Sequence, residues 1–203
     1  MENFNFLFDF VSNNGKRKSD TVPYFGTCYL EDSFSCRWKT LHRLFIPISE
    51  DDISLLEKDM LLSLPKDYSW FLQNVSNGLD LYNTTLCLYG KRTHYNRTKS
   101  DPQPFDIIIP NTYERPRNAT SNMVFIGSYY WDSSRLYIDT KDNSVHFCNS
   151  SDATSIKRWD NFYSMLVEEI SRLKCLYGNN GEKYDEGICS LPRIEDQGRI
   201  PRQ

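Results

Sequence analysis

Between Ser63 and Gly78 the apolar positions Tyr68, Phe71, Leu72 and Val75 recur at i, i+3, i+4 and i+7, the period of a helix with one apolar face. Pro65 suits its first turn, where a missing N–H has no partner to lose, and Gly78 after Asn77 offers the left-handed residue that ends a helix. Upstream, Ser49-Glu50-Asp51-Asp52 reads as a helix start, with Ser49 as N-cap, Asp52 in a capping-box position and acidic groups at the positive end of the dipole. The stripe that this helix must bury is Ile53, Leu56, Met60 and Leu61.

From Thr84 the period changes to two. Residues 84–89 predict a strand ending at Gly90, and Phe105 to Ile109 a second one closed by Pro110. Asn122 to Tyr130, Arg135 to Asp139 and Val145 to Cys148 follow at spacings that suit an antiparallel meander. Leu136 and Ile138 alternate with Arg135, Tyr137 and Asp139, so this strand is expected to bury the first pair and expose the others. The stretch opening at Trp159 predicts a closing helix, capped by Asp160 or Ser155, with Phe162, Leu166, Ile170 and Leu173 as its stripe. Phe4, Phe6, Phe8 and Phe10 stand at period two, but Phe4, Leu7, Phe8 and Val11 stand at helical spacing, and both readings stay open. These elements predict an α+β fold, a central and mostly antiparallel sheet backed by helices. One domain spans 49–176, an N-terminal extension (1–48) packs on its core, and a flexible tail (178–203) has too few apolar residues to bury.

Composition adds an aromatic bias, with 13 Tyr, 12 Phe and 4 Trp in 203 residues, which favours strands and protein-binding faces. A net charge of −3 without a basic block argues against direct nucleic-acid binding and leaves room for a basic partner. The N-terminus lacks the pattern of a signal peptide, and no run of apolar residues is long enough for a membrane span, so the chain reads as cytoplasmic. Six widely scattered cysteines then read as reduced thiols.

No constellation points to catalysis. His42, His94 and His146 lie in separate segments without a second ligand at metal spacing, Cys148 and His146 point outward in parallel if they share a strand, and no glycine-rich phosphate cradle exists. No cofactor and no metal site is expected. The basic segment Lys91, Arg92, His94, Tyr95, Arg97 and Lys99 reads first as a solvated loop and only secondarily as a partner site. The most unusual patch is Ser128 to Arg135, because three consecutive aromatics in a link between strands cannot all face a core. Tyr129, Tyr130, Trp131 and Asp132, with Arg135 and Tyr137 beside them, are therefore the candidate partner-binding residues.

The acidic-start helix, Leu64-Pro65-Lys66-Asp67-Tyr68 with Phe71-Leu72 and Asn77-Gly78, Leu88-Tyr89-Gly90, Phe125-Ile126-Gly127, Leu136-Tyr137-Ile138-Asp139, Val145 and Asn161-Phe162 with Leu166 together resemble the SUKH superfamily over residues 49–176. Relatives often carry a Gly- and Asp-rich turn where this chain has Tyr129-Tyr130-Trp131-Asp132. That superfamily includes yeast cell-wall synthesis regulators and many bacterial immunity proteins. The resemblance implies a non-enzymatic protein-binding role, with a nuclease toxin as one kind of partner and occlusion as the mode of action. A eukaryotic or viral regulatory scaffold is the alternative that the same resemblance allows.

Overall fold

The computed structural model describes residues 4–13, 16–17, 28–31, 38–94, 103–129, 132–179 and 181–192. Along these run helix α1 (Asn5–Asn13), strands β1 (Lys16–Arg17), β2 (Cys28–Glu31), β3 (Trp38–Thr40) and β4 (Arg43–Leu44), helices α2 (Glu50–Met60) and α3 (Lys66–Asn74), and strands β5 (Leu79–Leu81) and β6 (Leu86–Leu88). The short helix α4 (Ile108–Asn111), strands β7 (Met123–Tyr129), β8 (Arg135–Asp139), β9 (Val145–Cys148) and β10 (Lys157–Trp159), and helix α5 (Phe162–Leu176) complete the order. Strands β1, β2 and β3 form a small antiparallel sheet, and β4 to β10 follow one another in a seven-stranded antiparallel meander. The fold is thus α+β, as the periodicity implies.

One side of the large sheet carries Leu79, Leu81, Leu86, Leu88, Val124, Leu136, Ile138 and Phe147 into the same core as Leu7 of α1, Leu56 of α2, Phe71 of α3 and Leu166 of α5. Helices therefore back that side. On the other side Phe125, Tyr137, Cys148 and Ala153 make a second, smaller cluster. A bulge between Phe125 and Gly127 shifts the β7–β8 register. The Ile126 carbonyl, which accepts from Tyr89 N at 2.8 Å, also accepts from the Tyr68 hydroxyl at 3.0 Å, so a buried side chain of α3 is bonded to the sheet as well as packed on it.

Helix α2 starts as its sequence dictates: Asp52 N donates to Ser49 Oγ at 3.2 Å and Ser49 N to Asp52 Oδ2 at 3.0 Å. Its stripe is Ile53, Leu56 and Met60, whereas Leu61 lies past the last turn and is 88% exposed, against expectation. Helix α3 ends at Asn74, before the glycine that the sequence offered as its stop. Gly78, at φ +87°, makes the turn into β5, where a Cβ would sit 2.8 Å from the Leu88 carbonyl oxygen. Helix α5 is capped by Asn161, whose Oδ1 accepts from Ser164 N at 2.8 Å, and neither Asp160 nor Ser155 takes that role. Trp159 belongs to β10 and not to the helix.

The strand expected from Phe105 to Ile109 does not form. Asp106 Oδ1 accepts from Ile108 N at 2.8 Å and bends the chain into α4, leaving one parallel bridge between Asp106 and Gly90. The ambiguous residues 4–11 are helical. Phe4 packs against Trp70, Phe71, Phe162 and Tyr163, and Leu7 and Val11 are fully buried. At the other end, residues 181–192 turn back onto α5: Tyr184 N donates to Leu176 O at 3.0 Å and Arg172 Nη2 to Ser190 O at 2.9 Å.

Candidate functional site

The turn between β7 and β8 holds the aromatic patch singled out above. Tyr130 and Trp131 lie outside the described residues. Tyr129, the last residue of β7, points into the main core with no exposed surface, its ring edge-on to Phe147 at 5.4 Å. Its hydroxyl donates to Glu169 Oε2 at 2.6 Å, and Glu169 in turn holds Arg172 through Nε at 3.0 Å and Nη2 at 2.7 Å. Burial beside an acid raises the Tyr129 pKa well above that of a free phenol. Asp132 is exposed and shapes the turn: its Oδ1 accepts from Ser134 N at 2.9 Å and from the Ser134 hydroxyl, while Ser133 takes a left-handed φ of +57°.

Arg135 and Tyr137 project from the opposite side of the sheet to Tyr129, but they are not exposed: their residual accessibilities are 8% and 3%. The physical reason is the segment between α4 and β7, which folds over that side. Arg115 lies over the Phe125 ring at 5.5 Å and donates to Met123 O at 2.8 Å. Arg135 covers Phe125 at 5.7 Å, and Tyr137 stacks on His146 at 4.9 Å. Arg135 also reaches up to this segment, its Nη1 donating to Glu114 O at 2.5 Å and its Nη2 lying 3.3 Å from Glu114 Oε2. The buried guanidinium ties down a surface that the sequence reading missed: Tyr113 is 89% exposed, next to the exposed Glu114. Its signal was one aromatic in a polar loop, and single exposed rings are too common to be read from composition.

Among the described residues the titratable groups of this side do not assemble into a nucleophile and base. Cys148 has its thiol pKa pushed up to about 12 by burial, and the His146 ring is held at 2.7 Å by Ser144 Oγ on one nitrogen and by Ser155 Oγ on the other, its pKa lowered by burial and by Arg158. Among the described residues no cluster of His, Cys, Asp and Glu could hold a metal ion. Asp80 on β5 stands between its cross-strand partners Arg43 and Cys87. Burial raises its carboxyl to about 6, and Arg43, 3.4 Å away, offsets that in part. Of the basic loop, Lys91 pairs with Asp52, and its main chain is bracketed by the Asn77 side chain at 2.7 and 2.8 Å. Tyr95, Arg97 and Lys99 lie outside the described residues.

What this region offers is a firmly seated edge with an exposed ring, two exposed carboxylates and no reactive group among its described members. Among the described residues no helix is long and apolar enough to cross a membrane. A comparison with curated proteins finds no match. The family comparison does: residues 47–168, more than half of the chain and the whole span from α2 into α5, match the SMI1 / KNR4 family (SUKH-1), and the chain belongs to that family.

Proposed function

We propose that this chain is a non-enzymatic protein-binding domain that neutralises a cognate toxin, a nuclease being the kind its acidic balance suits, by stoichiometric occlusion. The observation that carries the reading is Tyr113: a large ring 89% exposed, next to Glu114, whose main chain and side chain are both held by the buried Arg135. An exposed aromatic ring beside a carboxylate whose backbone is held in place is the equipment for gripping a basic protein surface. Asp132 belongs to the same proposed surface, as do Tyr130 and Trp131 by their position in the β7–β8 link. Tyr129, Arg135 and Tyr137 serve it from below as supports. Membership of the SUKH-1 family supports a binding role and leaves the partner to be identified.

The test is capture of the toxin by the full chain in cells of the native source, followed by calorimetric titration. One-to-one binding that blocks the toxin's activity, weakened about thirtyfold by Tyr113→Ala, is the expected result for a binding anchor. Binding unaffected by Tyr113→Ala together with Glu114→Gln removes this surface. A captured partner that is a host regulator and not a toxin removes the immunity reading and favours a scaffold.

A further inference from the structure

Helix α2 presents a second exposed face with its own chemistry. Asp51, Leu55 and Asp59 stand at i, i+4 and i+8, one above another on the side turned away from Ile53, Leu56 and Met60. Leu55 is 49% exposed, and among the described residues no side chain bonds to Asp51 or Asp59. Of the other acids of the helix, Asp52 is engaged with Lys91 and Glu57 with Leu64 N at 2.8 Å, while Glu50 at its start is exposed. Just past the last turn comes Leu61, which breaks two local rules together. Its backbone is left-handed (φ 53°, ψ 34°) in a C-terminal turn closed by Leu61 N to Lys58 O at 3.4 Å and Leu62 N to Glu57 O at 3.2 Å, the position where glycine is favoured. Its side chain is 88% exposed. A leucine that strains the backbone and gains no burial has no use within the fold, and such local inconsistencies concentrate at functional sites.

We propose that the outer face of α2 is a docking surface for a basic protein partner, with Leu55 and Leu61 covered by an apolar patch and Asp51 and Asp59 meeting lysine or arginine side chains around it. The occupant follows from charge complementarity: Glu50, Asp51 and Asp59 outweigh Lys58 on this exposed face, so a lysine- or arginine-bearing surface is attracted and an acidic one repelled. The proposal rests on reading the chain as a protein-binding domain. It adds a surface on the helix that contacts α4, the element leading directly to Tyr113.

The test uses the full chain and a synthetic amphipathic peptide with leucines on one helical face and lysines flanking them, followed by fluorescence anisotropy and amide chemical-shift mapping. Shifts concentrated on α2 and on Leu61 and Leu62 are expected. Leu55→Ser and Leu61→Gly each weaken binding about tenfold, the range for losing an apolar anchor, and Asp51→Asn combined with Asp59→Asn flattens its salt dependence. Leu61→Gly is the discriminating variant, because it relieves the left-handed backbone: melting temperature holds or rises while binding falls, a combination that partial unfolding cannot mimic. Shifts centred elsewhere, or binding by Leu55→Ser and Leu61→Gly at the wild-type level, overturn the proposal. The outcome is separable from that of the toxin capture. Peptide docking on α2 without toxin capture removes the toxin reading alone, and toxin capture with no docking on α2 removes this face alone.

Discussion

Tyr129 on β7 and Glu169 on α5, forty positions apart, meet through a 2.6 Å hydrogen bond in which neither residue has exposed surface. The phenol donates to a carboxylate already paired with Arg172, so the bond is charge-assisted and fastens the sheet to its closing helix. Tyr129→Phe keeps the ring and removes the donor, leaving a buried carboxylate with one partner fewer. The expected cost is about 1–3 kcal/mol. Urea denaturation of the two proteins checks it, and equal midpoints would show that the bond contributes nothing net.

Asp80 gives the fold an unusual pH dependence. Its folded-state value of about 6 lies above the ordinary 3.8, so the folded protein holds this proton more tightly than the unfolded chain does. Stability from this group is therefore full below about 4 and is lost as pH rises through the window to about 6. Asp80→Asn removes that slope and raises stability at neutral pH, by about 3 kcal/mol at most from a shift of this size. Melting temperatures across the window test the sign: a wild-type protein that stabilises steadily from pH 4 to pH 6 while the variant stays flat contradicts it. Asp52 acts oppositely. Hydrogen bonds from Lys91 and Ser49 hold it near 2, so its contribution is present above the ordinary carboxylate value and is lost only as pH falls towards 2.

How far the sequence could be read depended on whether a residue's surroundings were local. The stripe of α5, that of α2 apart from Leu61, the capping box at Ser49 and strands β7, β8 and β9 follow from period and end chemistry within a few residues, and all are present. Period also places Arg135 and Tyr137 on the side of β8 opposite Leu136, but it cannot say what covers that side, and here the segment carrying Glu114 and Arg115 does. Tyr129 shows the same limit: its inward position depends on Glu169, far along the chain. Strand β5 has three residues, too few for a period to register. Asp106 replaced an apolar strand pattern by a turn through one side-chain hydrogen bond.

Leu7→Ala tests whether the first residues are an appendage or part of the core. Leu7 is fully buried in the cluster shared with α3 and α5. A loss of about 2–5 kcal/mol is expected, as for a leucine inside a single packed core. Thermal unfolding should stay one cooperative transition at a lower temperature. An unchanged main transition would mean that α1 is held only loosely.

Phe71→Ala measures the centre of the same core. Its ring has no exposed surface and lies 5.2 Å from Phe162 and 6.1 Å from Tyr68. The expected cost is about 3–5 kcal/mol. Lys66→Ala on the exposed start of α3 should change stability by no more than about 0.5 kcal/mol. Similar losses from the two substitutions would place the buried face of α3 wrongly.

Tyr113 and Tyr129 make a matched pair for separating binding from folding, since one ring is 89% exposed, next to the Glu114 that Arg135 holds, and the other is fully buried. Tyr129→Ala deletes a core ring and takes one of its partners from Glu169, so stability should fall by about 3–5 kcal/mol. The molecules that remain folded should still bind, because the deleted ring touches no outer surface. Tyr113→Ala removes a ring that is almost wholly in water, so stability should move by no more than about 0.5 kcal/mol. At the partner interface it should cost about 2 kcal/mol, the scale of a buried aromatic anchor. Calorimetric titration corrected for the folded fraction from denaturation measures both quantities on each variant. If Tyr113→Ala binds like wild type while Tyr129→Ala loses affinity beyond its loss of folded protein, the contact surface lies on the helical side of the sheet and the edge at Tyr113 must be abandoned.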